Sequence, residues 1–222
     1  MPTFAIISEG VTDQAVLEVL LDVACGIHSN EAAYTSVLQP RRDETDRARA
    51  GEFGGWEAVL EYCALEGAVS EALLLNDYLV IQIDTDSCEE KNFGVSKTIN
   101  GVHRPVDDIV SDVVNVIKSK IHPNTLEKFE HKLIFAISVH SIECWLLAIL
   151  AKADNDRVNM HTCEQRLRHI LQKEKIHLEK NYRTYTNLMR GIRKINQLTN
   201  AAKYNRSLKI FLDCLTEKLT KV

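Results

Sequence analysis

Short apolar runs alternate with amphipathic segments along the first two thirds of the chain. The runs predict four β-strands, at Phe4–Ser8, Tyr34–Leu38, Leu79–Ile83 and Leu133–Val139. Apolar residues recur at helical spacing between and after them, which predicts helices following Gly10, from Trp56 to about Glu66, from Pro105 to the break at His122-Pro123, and from Glu143 to Lys152. Strands alternating with helices predict right-handed crossovers and a parallel sheet.

The remaining segments predict loops and a helical end. The polar stretches Gln39–Glu52 and Ser87–Arg104 have no periodicity and are expected to be loops. No strand pattern follows Thr162, where three helices are expected with breaks near Asn181 and Asn200. The chain is therefore predicted to be an α/β domain over residues 1–153, with a four-stranded parallel sheet flanked by helices, followed by an all-α extension over residues 162–222.

Charge is distributed unevenly between these two parts. The whole chain has a net charge of −4, but residues 164–222 contain 14 Lys+Arg and 5 Asp+Glu, a balance of +9. The preceding residues therefore carry −13. This asymmetry predicts either a polyanionic partner for the basic part or docking of that part against the acidic one.

Hydropathy and cysteine spacing point to a cytoplasmic protein. No apolar run approaches the roughly 20 residues that cross a bilayer, and the N-terminus lacks the pattern of a signal peptide. The six cysteines are scattered without a C-x-x-C pair, so we expect buried thiols rather than disulfides. Although His161 and Cys163 lie close together, no second close pair completes a zinc pattern.

Carboxylates follow three of the predicted strands. Glu9 follows the first, Asp84 and Asp86 follow the third, and Glu143 comes shortly after the fourth. Because the carboxyl ends of parallel strands share one edge of a sheet, these side chains are expected to converge there. Hard oxygen ligands suit Mg²⁺ or Mn²⁺, and four carboxylates are enough for a two-cation site.

Other interpretations of the same residues remain open. Asp, Thr and Ser are also typical of turns and helix caps, so Asp84-Thr85-Asp86 can be a turn, and Asp13 is expected to cap the first helix. An aspartyl phosphatase or nucleotide-sugar motif is a further alternative for the paired aspartates. It leaves Glu9 unexplained, and Cys88 stands where the phosphatase pattern requires Thr or Val.

Two of these segments together resemble a known family. Ser8-Glu9-Gly10-x-Thr12-Asp13 resembles the E-G-x-x-D motif of the TOPRIM fold, and Asp84-Thr85-Asp86 resembles its D-x-D motif. The resemblance covers roughly residues 1–150. The segment His140–Ala148 is more loosely similar to small stand-alone TOPRIM-like proteins of bacterial defence systems, of the OLD and PARIS-effector types.

The resemblance implies a Rossmann-like TOPRIM domain and a function. It implies a Mg²⁺- or Mn²⁺-dependent nuclease that cleaves DNA or RNA, including tRNA, as an anti-phage or toxin-like effector. Glu9, Asp84, Asp86 and Glu143 would be its metal-binding and catalytic residues. Since the chain lacks a G-x-x-x-x-G-K-[ST] motif, a separate ATPase subunit is one expected partner, and homo-oligomer formation stays open. A non-catalytic TOPRIM-like module that binds nucleic acid or an ATPase is the alternative.

Basic residues at two places are candidates for contacting a phosphate backbone. Arg41 and Arg42 follow the second strand, and Lys97 lies in the loop beyond the D-x-D strand. In the basic extension, the candidates are Arg183, Arg190, Arg193 and Lys194. Contacts of this kind add salt-dependent affinity without reading a sequence.

Overall fold

One parallel sheet forms the centre of the molecule. The computed structural model describes residues 1–28, 32–41 and 55–220. Its strands are β1 (Thr3–Ile7), β2 (Tyr34–Gln39), β3 (Tyr78–Asp84) and β6 (Leu133–Ser138), all parallel and arranged in the order β2-β1-β3-β6. The predicted α/β architecture with a four-stranded parallel sheet is confirmed.

Helices cover both faces of this sheet. They are α1 (Val11–His28), α2 (Trp56–Ala64), α3 (Ala68–Leu75), α4 (Val106–Lys120), α5 (Pro123–Phe129), α6 (Ile142–Leu150), α7 (Asp154–Arg157), α8 (Cys163–Lys173), α9 (Tyr182–Met189), α10 (Ile195–Ala202) and α11 (Arg206–Thr220). Because side chains alternate along a strand, Phe4 and Ile6 face one core and Ala5 and Ile7 face the other.

The four C-terminal helices α8 to α11 pack on the sheet domain. Their buried residues join those of α1 and α6 in a single core on one face of the sheet. Trp145 of α6 stacks on Phe211 of α11, with ring centroids 5.3 Å apart, and its indole N–H donates a 2.8 Å hydrogen bond to Ser207. The helical extension and the sheet therefore share an interior.

The helix boundaries differ from the prediction in this extension. Four helices replace the three expected ones. Asn181 does mark a boundary, because its side chain caps α9 by accepting a hydrogen bond from the Thr184 amide at 2.8 Å. Asn200, in contrast, lies inside α10, and the chain turns only after Ala202. The break expected near Asn200 is therefore confirmed two residues further on, and the additional break lies between α9, which ends at Met189, and α10, which begins at Ile195.

The predicted loop Ser87–Arg104 contains a small hairpin. Strands β4 (Thr98–Ile99) and β5 (Val102–His103) pair antiparallel around Asn100 and Gly101, which both have positive φ. Strands of two residues are too short to produce a hydrophobic period, so the one local signal for them was the Asn100-Gly101 dipeptide, which is typical of hairpin turns. Most of the other predicted loop, Gln39–Glu52, lies outside the described residues. Within the described part of the chain, no helix has the length and apolar character needed to span a bilayer.

Two cysteines contradict the expectation that all six are free thiols. Cys144 of α6 and Cys163 of α8 form a disulfide across 19 residues of sequence. Cys25, Cys63 and Cys88 are buried thiols outside the disulfide, as expected, and Cys214 is a half-buried one. The two helices bring Cys144 and Cys163 together although the residues have no close spacing in the sequence. The disulfide also removes Cys163 from any set of zinc ligands.

Candidate functional site

The order of the strands creates a crevice between β1 and β3. The chain leaves β1 for β2 on one side, whereas β3 lies on the other side of β1. Open α/β sheets bind ligands at such a reversal, beyond the carboxyl ends of the strands. Glu9 follows β1 on one side of this crevice and Asp84 ends β3 on the other. The two motif carboxylates therefore lie at the expected edge.

Hydrogen bonds connect the two carboxylates directly. The backbone amide of Asp84 donates to Glu9 Oε1 at 2.6 Å. The buried side chain of Gln82 bridges the same two residues, because its Nε2 donates to Asp84 Oδ1 at 2.8 Å and its Oε1 accepts from the Glu9 amide at 3.1 Å. Gln82 thus fixes the separation of the two motifs.

The start of α6 adds Glu143 to the same place. Asp84 Oδ2 accepts a hydrogen bond from the Ile142 amide at 3.3 Å, at the first residue of α6. A carboxylate at a helix N-terminus is favoured by the unpaired amides and the helix dipole. Ser141 precedes this helix at the N-cap position, and its side chain makes no capping hydrogen bond. Glu143 follows in the first turn and is only 3% exposed.

Asp13 enters the cluster from α1. Its carboxylate interacts with the Gly10 amide at the start of the helix, as the expected capping role requires, yet it is only 4% exposed and lies near Glu143 and Asp84. A Cβ atom at residue 10 would lie 3.1 Å from Asp13 Oδ2, so glycine allows this close approach. Asp13 is therefore both a capping residue and a member of the acidic cluster.

These side chains line a cleft of about 420 Å³ that is strongly acidic. Six carboxylates line it, from Glu9, Asp13, Asp84, Asp86, Glu143 and Glu164. Within the described ranges, Lys180 is the one lysine or arginine of the lining, and it pairs with Glu164 at 2.8 Å and lies 3.8 Å from Glu143 Oε1. The cleft thus has a large excess of negative charge.

Burial and mutual repulsion shift the pKa values of these acids upward. Burial raises the pKa of Glu9 to about 8; Asp13 and Asp86 add to the increase, while the hydrogen bond from the Asp84 amide opposes it. Burial, followed by repulsion from Glu143, raises the pKa of Asp13 to about 7. The pKa of Asp84 lies well above its ordinary value for the same reasons. The ionised cluster therefore needs compensating positive charge.

The arrangement is not that of a completed metal site. Among the described residues, no three His, Cys, Asp or Glu side chains are positioned together to hold an ion. Asp86 is exposed at the rim, where its own carboxylate accepts a hydrogen bond from the Ser87 amide at 2.7 Å. One carboxylate oxygen of Glu9 and both of Asp84 already accept the hydrogen bonds described above. The donor atoms suit a hard cation, but these side chains would have to turn toward it.

The predicted basic residues that the structure describes lie outside the cleft lining. Arg41 is exposed beyond β2, and Arg42 falls outside the described residues. Lys97 donates to the carbonyls of Thr85 and Asp86, at 3.2 and 2.8 Å, and so holds the D-x-D turn. The four candidate basic side chains of the extension are exposed. Arg183 lies in the first turn of α9, and Arg190, Arg193 and Lys194 follow the C-terminal end of that helix.

Four residues of the site were missed from the sequence. Gln82 could have been identified from the sequence, because it is a polar residue within the apolar run of β3. It lies two residues before Asp84 and therefore on the same face of the strand. Thr85 is fully buried; its hydroxyl accepts from the His140 amide at 2.8 Å and joins the ends of β3 and β6. Lys180 and Tyr185 reach the cluster from the helical extension, so only the tertiary fold reveals them.

Comparison with known proteins does not assign this chain to a family. No family model matches the sequence, and neither the curated proteins nor the solved structures yield a match.

Proposed function

We propose that this protein is a Mg²⁺-dependent nuclease of TOPRIM-like architecture that hydrolyses phosphodiester bonds of DNA or RNA. One observation carries the proposal: Glu9 and Asp84 meet across the crevice between β1 and β3, and Asp86 and Glu143 line the same cleft. Glu9, Asp84 and Asp86 each lie at or after the end of a parallel strand, in the same order along the chain as in the two TOPRIM motifs that they resemble. In that family the two motifs form the catalytic site.

The chemistry of the donor atoms fits a divalent cation. Every carboxylate of the cluster offers hard oxygen atoms, which Mg²⁺ and Mn²⁺ prefer. The pKa values of Glu9 and Asp84 are raised because ionising buried carboxylates with little opposite charge nearby costs free energy. A bound cation would reduce this cost of ionisation. The divalent cation would be bound by Glu9, Asp84, Asp86 and Glu143. Contacts to the cation would replace the hydrogen bonds that the carboxylates of Glu9 and Asp84 now accept.

Each side chain then has a distinct role in hydrolysis. A bound Mg²⁺ supplies stabilisation of the charge that develops on the phosphate oxygens. Glu9 would also accept a proton from the attacking water as a general base: burial raises its pKa to about 8 without a cation, and a bound cation would keep the carboxylate ionised. Lys180 places a cation at the wall of the cleft, where it can attract the phosphate.

The basic surface supports a nucleic acid as the polyanionic substrate. Arg183, Arg190, Arg193 and Lys194 are exposed on or next to α9, and Arg41 is exposed at the carboxyl end of β2. They would neutralise backbone phosphates without reading bases, so binding should weaken steeply with salt. A role as an anti-phage or toxin-like effector, acting with a separate ATPase subunit, follows from the family resemblance.

A non-catalytic binding module is the second candidate. It is favoured by the internal hydrogen bonds of Glu9 and Asp84 and by the lack of an ion-binding arrangement among the described residues. Such a module would bind nucleic acid, or an ATPase, through its basic surface and use the acidic cleft for stability or regulation.

A cleavage assay separates the two candidates. Labelled single-stranded and double-stranded DNA and RNA, and total tRNA, are incubated with the protein and about 5 mM Mg²⁺ or Mn²⁺, which is enough to occupy weak divalent-cation sites. We expect cleavage by the wild type and by Asp213→Asn, an exposed control on α11 that pairs with Lys209, and none by Asp84→Asn. Binding of nucleic acid without cleavage by the wild type would favour the module, and cleavage by Asp84→Asn at the wild-type rate would refute the proposed site.

A further inference from the structure

Glu143 is held by a tyrosine from the helical extension. The hydroxyl of Tyr185 donates a 2.6 Å hydrogen bond to Glu143 Oε1. Glu143 lies in the first turn of α6, whereas Tyr185 lies on α9, 42 residues later. Both side chains are inside the protein, Glu143 at 3% exposure and Tyr185 at 0%. The contact is therefore a buried, charge-assisted hydrogen bond.

Tyr185 is suited to positioning and not to nucleophilic attack. Burial, together with the negative charge of Glu143, raises its pKa, so the phenol keeps its proton and acts as a donor. The ring belongs to the core that α1, α6 and the C-terminal helices share. Tight packing around a ring restricts its rotamers, so the hydroxyl has a fixed place.

The hydrogen bond determines which part of Glu143 is available to a ligand. Oε1 accepts from Tyr185 and is the atom nearest to Lys180, at 3.8 Å. Oε1 thus interacts with two residues of the helical extension, and we expect a cation in the cleft to bind Glu143 mainly through Oε2. The same contact holds the buried carboxylate of Glu143 near Asp13 in spite of their repulsion.

We propose that Tyr185 is a positioning residue that fixes Glu143 for binding a divalent cation. This assignment rests on the proposed metal-dependent function and extends it, because it makes the helical extension part of the metal site. Partners that orient ligating carboxylates typically contribute 10- to 100-fold to metal affinity. We therefore expect about a 10-fold or larger loss of Mn²⁺ affinity when the Tyr185 hydroxyl is removed.

The same helix provides a matched control. Tyr182 is also on α9 and also donates a 2.6 Å hydrogen bond to a carboxylate, that of Glu18 on α1. Glu18 is not among the residues that line the cleft. Tyr185→Phe and Tyr182→Phe thus remove the same atom from hydrogen bonds of the same length, a buried one at Tyr185 and a partly buried one at Tyr182. Only the Tyr185 bond involves the acidic cluster.

The test is titration of the full-length protein with MnCl₂ by calorimetry, with melting temperatures recorded to verify folding. We expect Tyr185→Phe to weaken Mn²⁺ binding about 10-fold or more and Tyr182→Phe to leave it unchanged. In a Glu143→Gln background, the further effect of Tyr185→Phe should disappear, because the carboxylate it positions is gone.

The possible outcomes distinguish this assignment from the proposed function. Wild-type protein that binds no Mn²⁺ would overturn the metal site and, with it, the role of Tyr185. Wild-type binding with equal affinities in Tyr185→Phe and Tyr182→Phe would overturn the role of Tyr185 alone. An undiminished effect of Tyr185→Phe in the Glu143→Gln background would also overturn it, because the loss would then not pass through Glu143.

Discussion

The backbone amide of Asp84 donates a 2.6 Å hydrogen bond to the carboxylate of Glu9. The two residues are 75 positions apart in the sequence and belong to the two motifs that suggested a metal site. In this state, one motif serves as the hydrogen-bond acceptor of the other. Cation binding would therefore have to replace an existing contact, and the groups that hold this pair in place become important for stability.

We predict that Gln82→Met destabilises the protein by about 1–3 kcal/mol, the usual cost of leaving a buried polar group unpaired. Gln82 is fully buried and bonds both the Glu9 amide and the Asp84 carboxylate. Methionine has a similar size but cannot make either hydrogen bond. Urea unfolding measures the change, and a variant as stable as the wild type would show that the bridge contributes nothing.

The disulfide between Cys144 and Cys163 should be a substantial source of stability. It closes a loop with a sequence separation of 19 residues, for which chain entropy predicts roughly 3 kcal/mol. A thiol-free reductant should lower the unfolding free energy of the wild type by about this amount.

A Cys144→Ala/Cys163→Ala variant provides the control, because reductant should not change its stability. Mass spectrometry establishes whether the bond is present and then reduced. Equal stability of oxidised and reduced wild-type protein would contradict this expectation.

Residues 1–153 alone are expected not to fold cooperatively. Trp145 is completely buried, and its ring contact with Phe211 and its hydrogen bond to Ser207 both come from α11. Removing the helical extension exposes this face of the core to water. Near-UV circular dichroism and dye binding will report a loosely packed state. A fragment with a sharp unfolding transition would indicate an independent domain instead.

The contribution of His140 to folding stability should fall as the pH falls, whereas the raised pKa values of Glu9, Asp13 and Asp84 act in the opposite direction. Burial lowers the pKa of His140 to about 4, from 6.5, with further contributions from His161, Lys97 and His103 and opposition from Asp86. At His140, the unfolded chain therefore binds a proton between pH 6.5 and 4 that the folded protein does not, so this contribution to stability falls as the pH falls through that range.

His140→Asn removes this contribution because asparagine does not titrate, so the melting temperature of the variant relative to that of the wild type should rise by a few degrees between pH 7 and pH 4. Asparagine also tolerates the positive φ of 66° at this position. Melting curves of both proteins from pH 7 to pH 4 test the prediction, and parallel curves would exclude His140 as a contributor.

The sheet was predictable because its strands carry a strong local pattern. Buried parallel strands appear as uninterrupted apolar runs, and the carboxylates after β1 and β3 converge because parallel strands end at one edge. The strands of the hairpin at Thr98–His103 lacked such a pattern, since a two-residue strand has no hydrophobic period, and only the Asn100-Gly101 turn indicated the hairpin.

The supporting residues of the site depend on long-range contacts. Tyr185 reaches Glu143 only because α9 packs on α1, and the disulfide forms only because α8 lies against α6. Lys97, expected at a phosphate, bonds the carbonyls of Thr85 and Asp86. Gln82 is the exception, because a polar residue in an apolar strand indicates a nearby partner.

The most direct test of the metal site is a crystal structure with bound Mn²⁺, located by its anomalous scattering. We predict a Mn²⁺ ion bound by carboxylate oxygens of Glu9 and Asp84, with the hydrogen bond from the Asp84 amide to Glu9 replaced and the Tyr185 contact to Glu143 retained. Crystals soaked in Mn²⁺ at about 10 mM, enough to fill weak divalent-cation sites, that show no anomalous peak in this cleft would contradict the account.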